Sequence, residues 1–230
     1  MYPCIILSGG YATRLGDLAK HTPKSLLLIN KKPFLFYQLG FLQSFGIKKV
    51  FISINHLSNK FYDFLEEYPF KKLSIELIED GIYPLGTGGA IKKILAKESS
   101  PSFVMYGDSF LRVNLQDVYK SYAIDRGPLM VIYKNKNKYD ASNVFFQGRN
   151  ILFSKTNPSP KSNYIDYGIG IYKYSDFNST PQVFDLSIIQ ENFASRQELQ
   201  HFVATKRFYE IGTPKSYEQT ARFLKNYELR

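Results

Sequence analysis

The chain has 230 residues, 44% of them hydrophobic and 22% charged, and carries a formal net charge of +10. That length has room for one sizeable core, and the composition is that of a globular protein, not of a disordered, collagenous or disulfide-stapled one. A single cysteine excludes an internal disulfide, and no apolar run approaches the ~20 residues of a membrane-spanning helix.

Pro3 and a short strand-like run come first, without a basic leader or a small-residue cleavage site, so a cytoplasmic address is expected. The basic charge is spread in small groups, Lys31-Lys32, Lys48-Lys49, Lys71-Lys72 and residues 134–138. No zinc-ligand spacing, basic heptad helix or single-strand RNA signature accompanies it. Neither a nucleic-acid nor a membrane partner is expected.

In chain order, the apolar run Cys4-Ile-Ile-Leu7 reads as a buried strand that enters a glycine pair, Gly9-Gly10. Residues 25–29 form a second apolar run, ended by the polar turn Asn30-Lys31-Lys32. Pro33 suits a first helical position, Leu35, Leu39 and Leu42 follow at helical spacing, and Gly46 is a good stop. Residues 50–54 read as a buried strand, 58–68 as a helix and 73–78 as a strand. A glycine-rich loop, Pro84-Leu-Gly-Thr-Gly-Gly-Ala90, leads into another helix, and 103–106 is a strand ending in Gly107-Asp108. Strands alternating with helices predict an α/β fold with a mostly parallel sheet covered on both faces.

The second half changes character. Residues 129–133, 143–146, 151–154 and 169–172 read as short strands, with a hairpin turn at Gly148-Arg-Asn150. Residues 185–192 read as a helix. Thr213 is placed to cap a last helix with Pro214 at its first position and Tyr217, Ala221 and Leu224 as its inner stripe. Without a linker or repeat, one domain over 1–230 is expected, with a nucleotide half over about 1–112 and an acceptor half over about 113–230.

In open parallel sheets ligands bind beyond the carboxyl ends of the strands. Three features are expected there. The loop Leu7-Ser-Gly-Gly-Tyr-Ala-Thr-Arg-Leu15 offers backbone amides, the Thr13 hydroxyl and the Arg14 guanidinium to phosphates, with Lys24 close behind in Pro23-Lys24-Ser25. The second is the loop Gly86 to Gly89. The third is Asp108, a carboxylate suited to Mg²⁺. The first loop fits neither the dinucleotide nor the P-loop pattern.

Taken together, Leu7-x-Gly-Gly-x-x-Thr-Arg-Leu15, Pro23-Lys24, Lys32-Pro33-Phe34, Pro84-Leu-Gly-Thr-Gly-Gly-Ala90, Gly107-Asp108 and Ile211-Gly212-Thr213-Pro214 resemble the sugar-1-phosphate nucleotidyltransferases. Within that family the chain looks closest to bacterial mannose-1-phosphate and heptose-1-phosphate guanylyltransferases. The resemblance implies a Rossmann-like three-layer fold with a smaller acceptor-side β region. It implies transfer of a nucleotidyl group from an NTP to a sugar phosphate, with pyrophosphate leaving and Mg²⁺ as cofactor. GTP is the donor the resemblance favours and CTP the alternative, and capsule or lipopolysaccharide precursors are the product class.

Carried over by position, Leu7, Ser8, Gly9, Gly10, Thr13 and Arg14 would hold the triphosphate, and Leu85, Gly86, Thr87 and Gly88 the base and ribose. Arg14, Lys24 and Asp108 would act in the chemistry. Asp108, Lys155, Asp166, Gly168 and Gly170 would meet the sugar phosphate, and Asp108 with Glu210 the metal. Three positions depart from the family pattern: Ala12 for a third glycine, Ser154 for the glutamate before Lys155, and Glu210 for an aspartate. The three histidines, His21, His56 and His201, are expected at the surface. A non-catalytic nucleotide-binding regulator of the same fold is the competing class. The sequence is compatible with a homo-oligomer.

Overall fold

The computed structural model describes residues 1–10, 15, 16, 20–148 and 150–227. Strand β1 (Cys4–Leu7) is followed by a 3-10 turn, Lys24–Leu26, and by the small hairpin of β2 (Leu28–Ile29) and β3 (Lys32–Pro33). Helix α1 (Phe34–Ser44), β4 (Lys49–Ile54), α2 (Asn59–Glu67), β5 (Ser74–Glu79), α3 (Gly86–Leu95), β6 (Ser102–Tyr106) and β7 (Ser109–Phe110) complete the first half. Then come α4 (Leu115–Ser121), β8 (Leu129–Lys134), β9 (Val144–Gln147), β10 (Asn150–Phe153), β11 (Tyr164–Tyr172), α5 (Ser187–Ser195), β12 (Gln200–Ala204), β13 (Tyr209–Glu210) and α6 (Pro214–Leu224).

One sheet runs through both halves in the order β10-β9-β11-β6-β1-β4-β5, with β8 and β12 branching from β11. The stretch β6-β1-β4-β5 is wholly parallel, the expected α/β centre. At β11 the direction reverses, because β11 pairs antiparallel with β6, β8 and β9. The strands of the hairpin expected at 148–150 pair as predicted, with Gln147 opposite Asn150, while Arg149 of its turn lies outside the described residues.

The continuous apolar runs of the central strands follow from burial on both faces. Along β1, Cys4 and Ile6 enter one core and Ile5 the other. In β4, Val50, Ile52 and Ile54 oppose Phe51, and in β6, Phe103 and Met105 oppose Val104. Each such aliphatic side chain contributes roughly 1.5–3 kcal/mol by leaving water. Helix α1 is apolar almost all round because the larger core surrounds it: Phe34, Leu35, Tyr37, Leu39, Phe41 and Leu42 are all buried.

Several boundaries differ from the sequence reading. Pro33 is the residue before α1 and pairs with Leu28, so the helix starts at Phe34. The helix expected from 185 starts at Ser187, where the Asp185 carboxylate accepts the Ser187 amide at its entrance. Thr213 and Pro214 cap α6 as expected, with the Thr213 hydroxyl accepting from the Ser216 amide. Of the histidines, His21 and His56 are exposed, whereas His201 in β12 is half-buried 4.5 Å from the Phe146 ring, and that burial lowers its pKa.

Candidate active site

A cavity of about 650 Å³ opens at the carboxyl ends of the parallel strands. Leu7, Ser8, Gly9, Gly10, Lys24, Gly86, Thr87, Asp108, Lys155, Asp166, Gly168 and Glu210 all line it. Thr13, Arg14 and Ala12 lie outside the described residues. Three expected site residues sit off the cavity wall: Leu85, Gly88 and Gly170.

The floor is set where β1 and β6 end side by side. The Gly107 amide donates to the Leu7 carbonyl at 2.9 Å, and a Cβ on Gly107 would stand 2.6 Å from that same oxygen, so only glycine lets the strands finish this close. Gly9 and Gly10 are different. A Cβ at either would meet nothing closer than 3.5 Å, so the fold itself does not require glycine there. Bare backbone at that place is what a closely approaching ligand needs. The Ser8 and Ser25 hydroxyls, buried beside this loop and Lys24, have no hydrogen-bond partner among the described residues, an arrangement that suits an incoming phosphate.

Asp108 occupies the turn after β6. Buried Gln38 of α1 fixes that turn by donating to the carbonyls of Tyr106 at 3.0 Å and Ser109 at 2.9 Å. The Asp108 carboxylate accepts from the Lys24 ammonium at 2.6 Å and from the Ser109 hydroxyl at 3.1 Å. Lys24 is largely covered, with only 16% of its side chain exposed. Strand β13 then pairs with β7 so that Glu210 stands opposite Ser109, one residue from Asp108. One Glu210 oxygen accepts the Gly212 amide at 2.8 Å.

The described wall carries five carboxylates, Asp80, Asp108, Asp140, Asp166 and Glu210, against two ammonium groups, Lys24 and Lys155. Such a wall takes a polyphosphate only with added positive charge. No cluster of three His, Cys, Asp or Glu side chains is placed to cage a metal among the described residues. Mg²⁺ does not need a cage: it binds through one or two carboxylates, phosphate oxygens and waters. Asp108, in the turn that enters β7, and Glu210, on the strand paired with β7, fit that requirement.

The glycine-rich loop is a clasp. The amides of Gly88 and Gly89 both donate to the Phe184 carbonyl, the Phe184 amide returns a bond to Leu85 at 3.0 Å, and the Thr87 hydroxyl accepts the Leu186 amide at 2.8 Å. A Cβ at Gly88 would run into the Phe184 ring. Gly88 therefore serves packing, and Leu85 is buried with its amide bound to Asp80, which leaves Gly86 and Thr87 as the loop's cavity residues.

On the acceptor side, β11 shifts register between Asp166 and Gly170, and Gly168 takes φ +87 there. The irregularity turns Asp166 into the cavity. Its carboxylate accepts from the Gly168 amide at 2.9 Å, Gln190 at 3.2 Å and the Tyr106 hydroxyl at 3.4 Å. Burial nonetheless raises its pKa, because those donors only partly replace water. Gly170, two residues on, is paired inside the sheet, where a Cβ would strike the Leu129 carbonyl oxygen. It is a packing glycine.

Lys155 leaves β10 at the cavity rim and its ammonium reaches Asp185 at 2.7 Å. Burial raises the Asp185 pKa, but bonds from Lys155 and Ser187 outweigh it and bring the carboxyl below its usual value. Where the family pattern has a glutamate, Ser154 donates to Glu191 of α5 at 3.1 Å, and the Lys155 amide donates to the same oxygen at 2.9 Å. A carboxylate is thus restored beside Lys155 from another element. Gln38, Asp80, Gln190 and Glu191 were missed by sequence reasoning. Gln38, Gln190 and Glu191 are single polar residues whose partners are distant in the chain, and Asp80 is a lone carboxylate at a strand end.

Comparison with known proteins agrees with this architecture. Residues 4–151 match the model of the MobA-like NTP transferase domain. The chain is 30% identical over 227 residues to the D-glycero-alpha-D-manno-heptose 1-phosphate guanylyltransferase of Campylobacter jejuni, covering 93% of this chain and 96% of that protein. It is 27% identical to the enzyme of the same name from Aneurinibacillus thermoaerophilus, over 97% and 98% of the two chains. The crystal structure of HddC from Yersinia pseudotuberculosis superposes with a TM-score of 0.81 at 23% identity, over 97% of this chain and 100% of that one, which places the two in one fold. With its glycine loop, lysine and aspartate gathered at the sheet's carboxyl edge, the chain belongs to the MobA-like NTP transferase family and is a nucleotidyltransferase.

Proposed function

We propose that the protein joins GTP and a heptose- or mannose-type sugar 1-phosphate into a GDP-sugar, releasing pyrophosphate. The observation that carries this reading is that one cavity is lined by the Gly9-Gly10 loop, the Lys24–Asp108 pair and Lys155. It has space for two phosphorylated substrates meeting end to end. The names of the relatives supply the base and the sugar, and a second structure of HddC is described as complexed with GMP-PN.

In the proposed reaction an oxygen of the sugar phosphate attacks the α-phosphorus of the NTP. A new P–O bond forms in line with the breaking bond to the β-phosphate, and pyrophosphate leaves with its electron pair. The work is positioning and charge neutralisation, with no protein nucleophile. Ser8, Gly9 and Gly10, with Thr13 and Arg14, hold the triphosphate. Lys24 stands at the junction and stabilises charge on the transferred phosphoryl group. Asp108 and Glu210 would hold Mg²⁺, which would supply charge neutralisation to the phosphates. Lys155 receives the acceptor phosphate, and Asp166 and Gly168 face the sugar.

The reaction is placed in the cytoplasm, making donors for capsule or lipopolysaccharide assembly. The direct test is pyrophosphate release from Mg²⁺ with each common NTP against a panel of sugar 1-phosphates. Fastest turnover with GTP and a manno-configured acceptor supports the reading. Binding of NTP without turnover of any pair would instead make the protein a regulator.

A further inference from the structure

Two carboxylates hold Lys155, and only one of them touches its charge. The ammonium reaches Asp185 at 2.7 Å, whereas the Lys155 backbone amide donates to Glu191 at 2.9 Å. The same Glu191 oxygen accepts the Ser154 hydroxyl at 3.1 Å. Ser154 in turn accepts the Asn157 amide at 3.2 Å, so the turn over residues 154–157 closes on a hydroxyl that is itself fastened to Glu191. Glu191 is off the cavity wall, and no step of the reaction above uses it. One residue earlier in α5, Gln190 donates to Asp166 at 3.2 Å. Successive helical side chains point about 100° apart, so α5 reaches β11 with Gln190 and the end of β10 with Glu191. Asn143 joins the same two places: its carbonyl accepts the Ser154 amide at 3.2 Å, and its side-chain oxygen accepts the Asp166 amide at 2.9 Å. Lys155 and Asp166 thus stand on one frame. The Lys155 side chain is 55% exposed, a flexible stem whose reach depends on where its root is fixed.

We propose that Glu191 is a positioning residue for the acceptor phosphate: it fixes the root of Lys155 so that the ammonium meets the phosphate at the cavity rim. The inference rests on the assignment of Lys155 to that phosphate under the proposed function. Both donors bind an ionised acceptor, which makes each bond roughly twice as strong as a neutral one. Removing the carboxylate frees the Lys155 amide and the Ser154 hydroxyl together, and with them the turn that carries the stem. A binding group displaced by about 1 Å loses up to about 10²-fold in effect.

The test is steady-state kinetics of Glu191→Ala, Glu191→Gln, Lys155→Ala and the double variant Glu191→Ala with Lys155→Ala. Glu191→Ala is expected to raise the acceptor KM about tenfold and to leave the NTP KM in place. Glu191→Gln keeps an oxygen for both donors and is expected to lie within about threefold of wild type. In the Lys155→Ala background, Glu191→Ala is expected to change the acceptor KM by less than about twofold, because the side chain it acts through is already gone. A full rise in that background, or a fall in kcat with both KM values fixed, would make Glu191 a clamp of the fold and overturn the inference. Equal losses in Glu191→Gln and Glu191→Ala would assign the effect to charge and overturn it too. If Glu191→Ala does not fold, Ser154→Ala removes one of its two donors. A rise in acceptor KM that vanishes in the Lys155→Ala background then supports the inference, and no rise overturns it. A wild-type protein that turns over no NTP and sugar 1-phosphate pair would sink the proposed function and this inference with it. An acceptor KM that responds to Lys155→Ala and not to Glu191→Ala sinks the inference alone.

Discussion

Lys24 and Asp108 lie 84 residues apart in the chain and meet at 2.6 Å on the cavity wall. The pair is mostly covered, so water competes with it only weakly. Lys24→Ala is expected to lower kcat/KM by about 10²- to 10³-fold, the scale set by removing one donor from a developing phosphoryl charge. Asp108→Asn is expected to raise the Mg²⁺ concentration needed for half-maximal rate. Pyrophosphate release across a Mg²⁺ titration checks both, and an unaltered metal requirement in Asp108→Asn would remove it as a ligand.

Gln190 shares its amide between Asp166 at 3.2 Å and the Tyr172 hydroxyl at 3.1 Å, and is itself buried. Its hydrogen bond favours the charged form of Asp166, so removing it raises an already raised pKa further. Gln190→Leu is expected to increase the acceptor KM about tenfold while leaving the NTP KM in place, the cost of one hydrogen bond to a charged group. It should also move the acidic limb of the rate profile to higher pH. A uniform fall in kcat with both KM values and the profile fixed would show a role in packing alone.

Lys155 and Asp185 form an exposed pair, 55% and 41% open to solvent, which is worth at most about 1 kcal/mol to the fold. Lys155→Ala is therefore expected to leave the melting temperature within a few degrees of wild type and to raise the acceptor KM about tenfold or more. Unchanged acceptor kinetics would end its assignment to the sugar phosphate.

Asp176 supplies a pH test remote from the cavity. Burial lifts its pKa to about 6, against the pull of the Lys173 amide it accepts from and the Lys173 charge. The folded state therefore binds this proton more tightly than the unfolded chain does. Its stabilising contribution is complete below the unfolded pKa near 4 and is lost as pH rises to about 6, a difference of up to about 3 kcal/mol. Asp176→Asn, which keeps an acceptor for the Lys173 amide, is expected to stabilise the protein at pH 7 relative to pH 4. Denaturant unfolding of both proteins at the two pH values measures it, and a pH-independent difference would rule out Asp176 as the source.

The parallel centre of the fold and the heart of the cavity were legible because the motifs stand at strand ends, where an α/β sheet gathers them whatever the loops do. Gly9, Lys24, Gly86 and Asp108 all arrive at one wall for that reason. Glycines were the ambiguous letters. Gly88 and Gly170 resemble ligand loops in sequence, yet the groups that approach them are Phe184 and Leu129 of the same chain. Polar residues such as Gln38, inside an apolar helix, carry no local signal because their partners, the Tyr106 and Ser109 carbonyls, come from another element. Strand β12 was passed over for a related cause: residues 200–203 are only partly buried, so the alternation that marks a strand is blunted.

The Phe184 carbonyl, shared by the Gly88 and Gly89 amides, fastens the donor loop to the segment that enters α5, the helix bearing Gln190 and Glu191. If a nucleotide shifts residues 84–89, these bonds give that shift a direct route to α5. Thermodynamic linkage makes such coupling reciprocal: the factor by which NTP changes affinity for the sugar phosphate equals the factor for the reverse. Thr87→Val, which deletes the acceptor for the Leu186 amide, is expected to shrink both factors together when each ligand is titrated with and without the other. The two substrates would then bind as strangers, each indifferent to the other's presence.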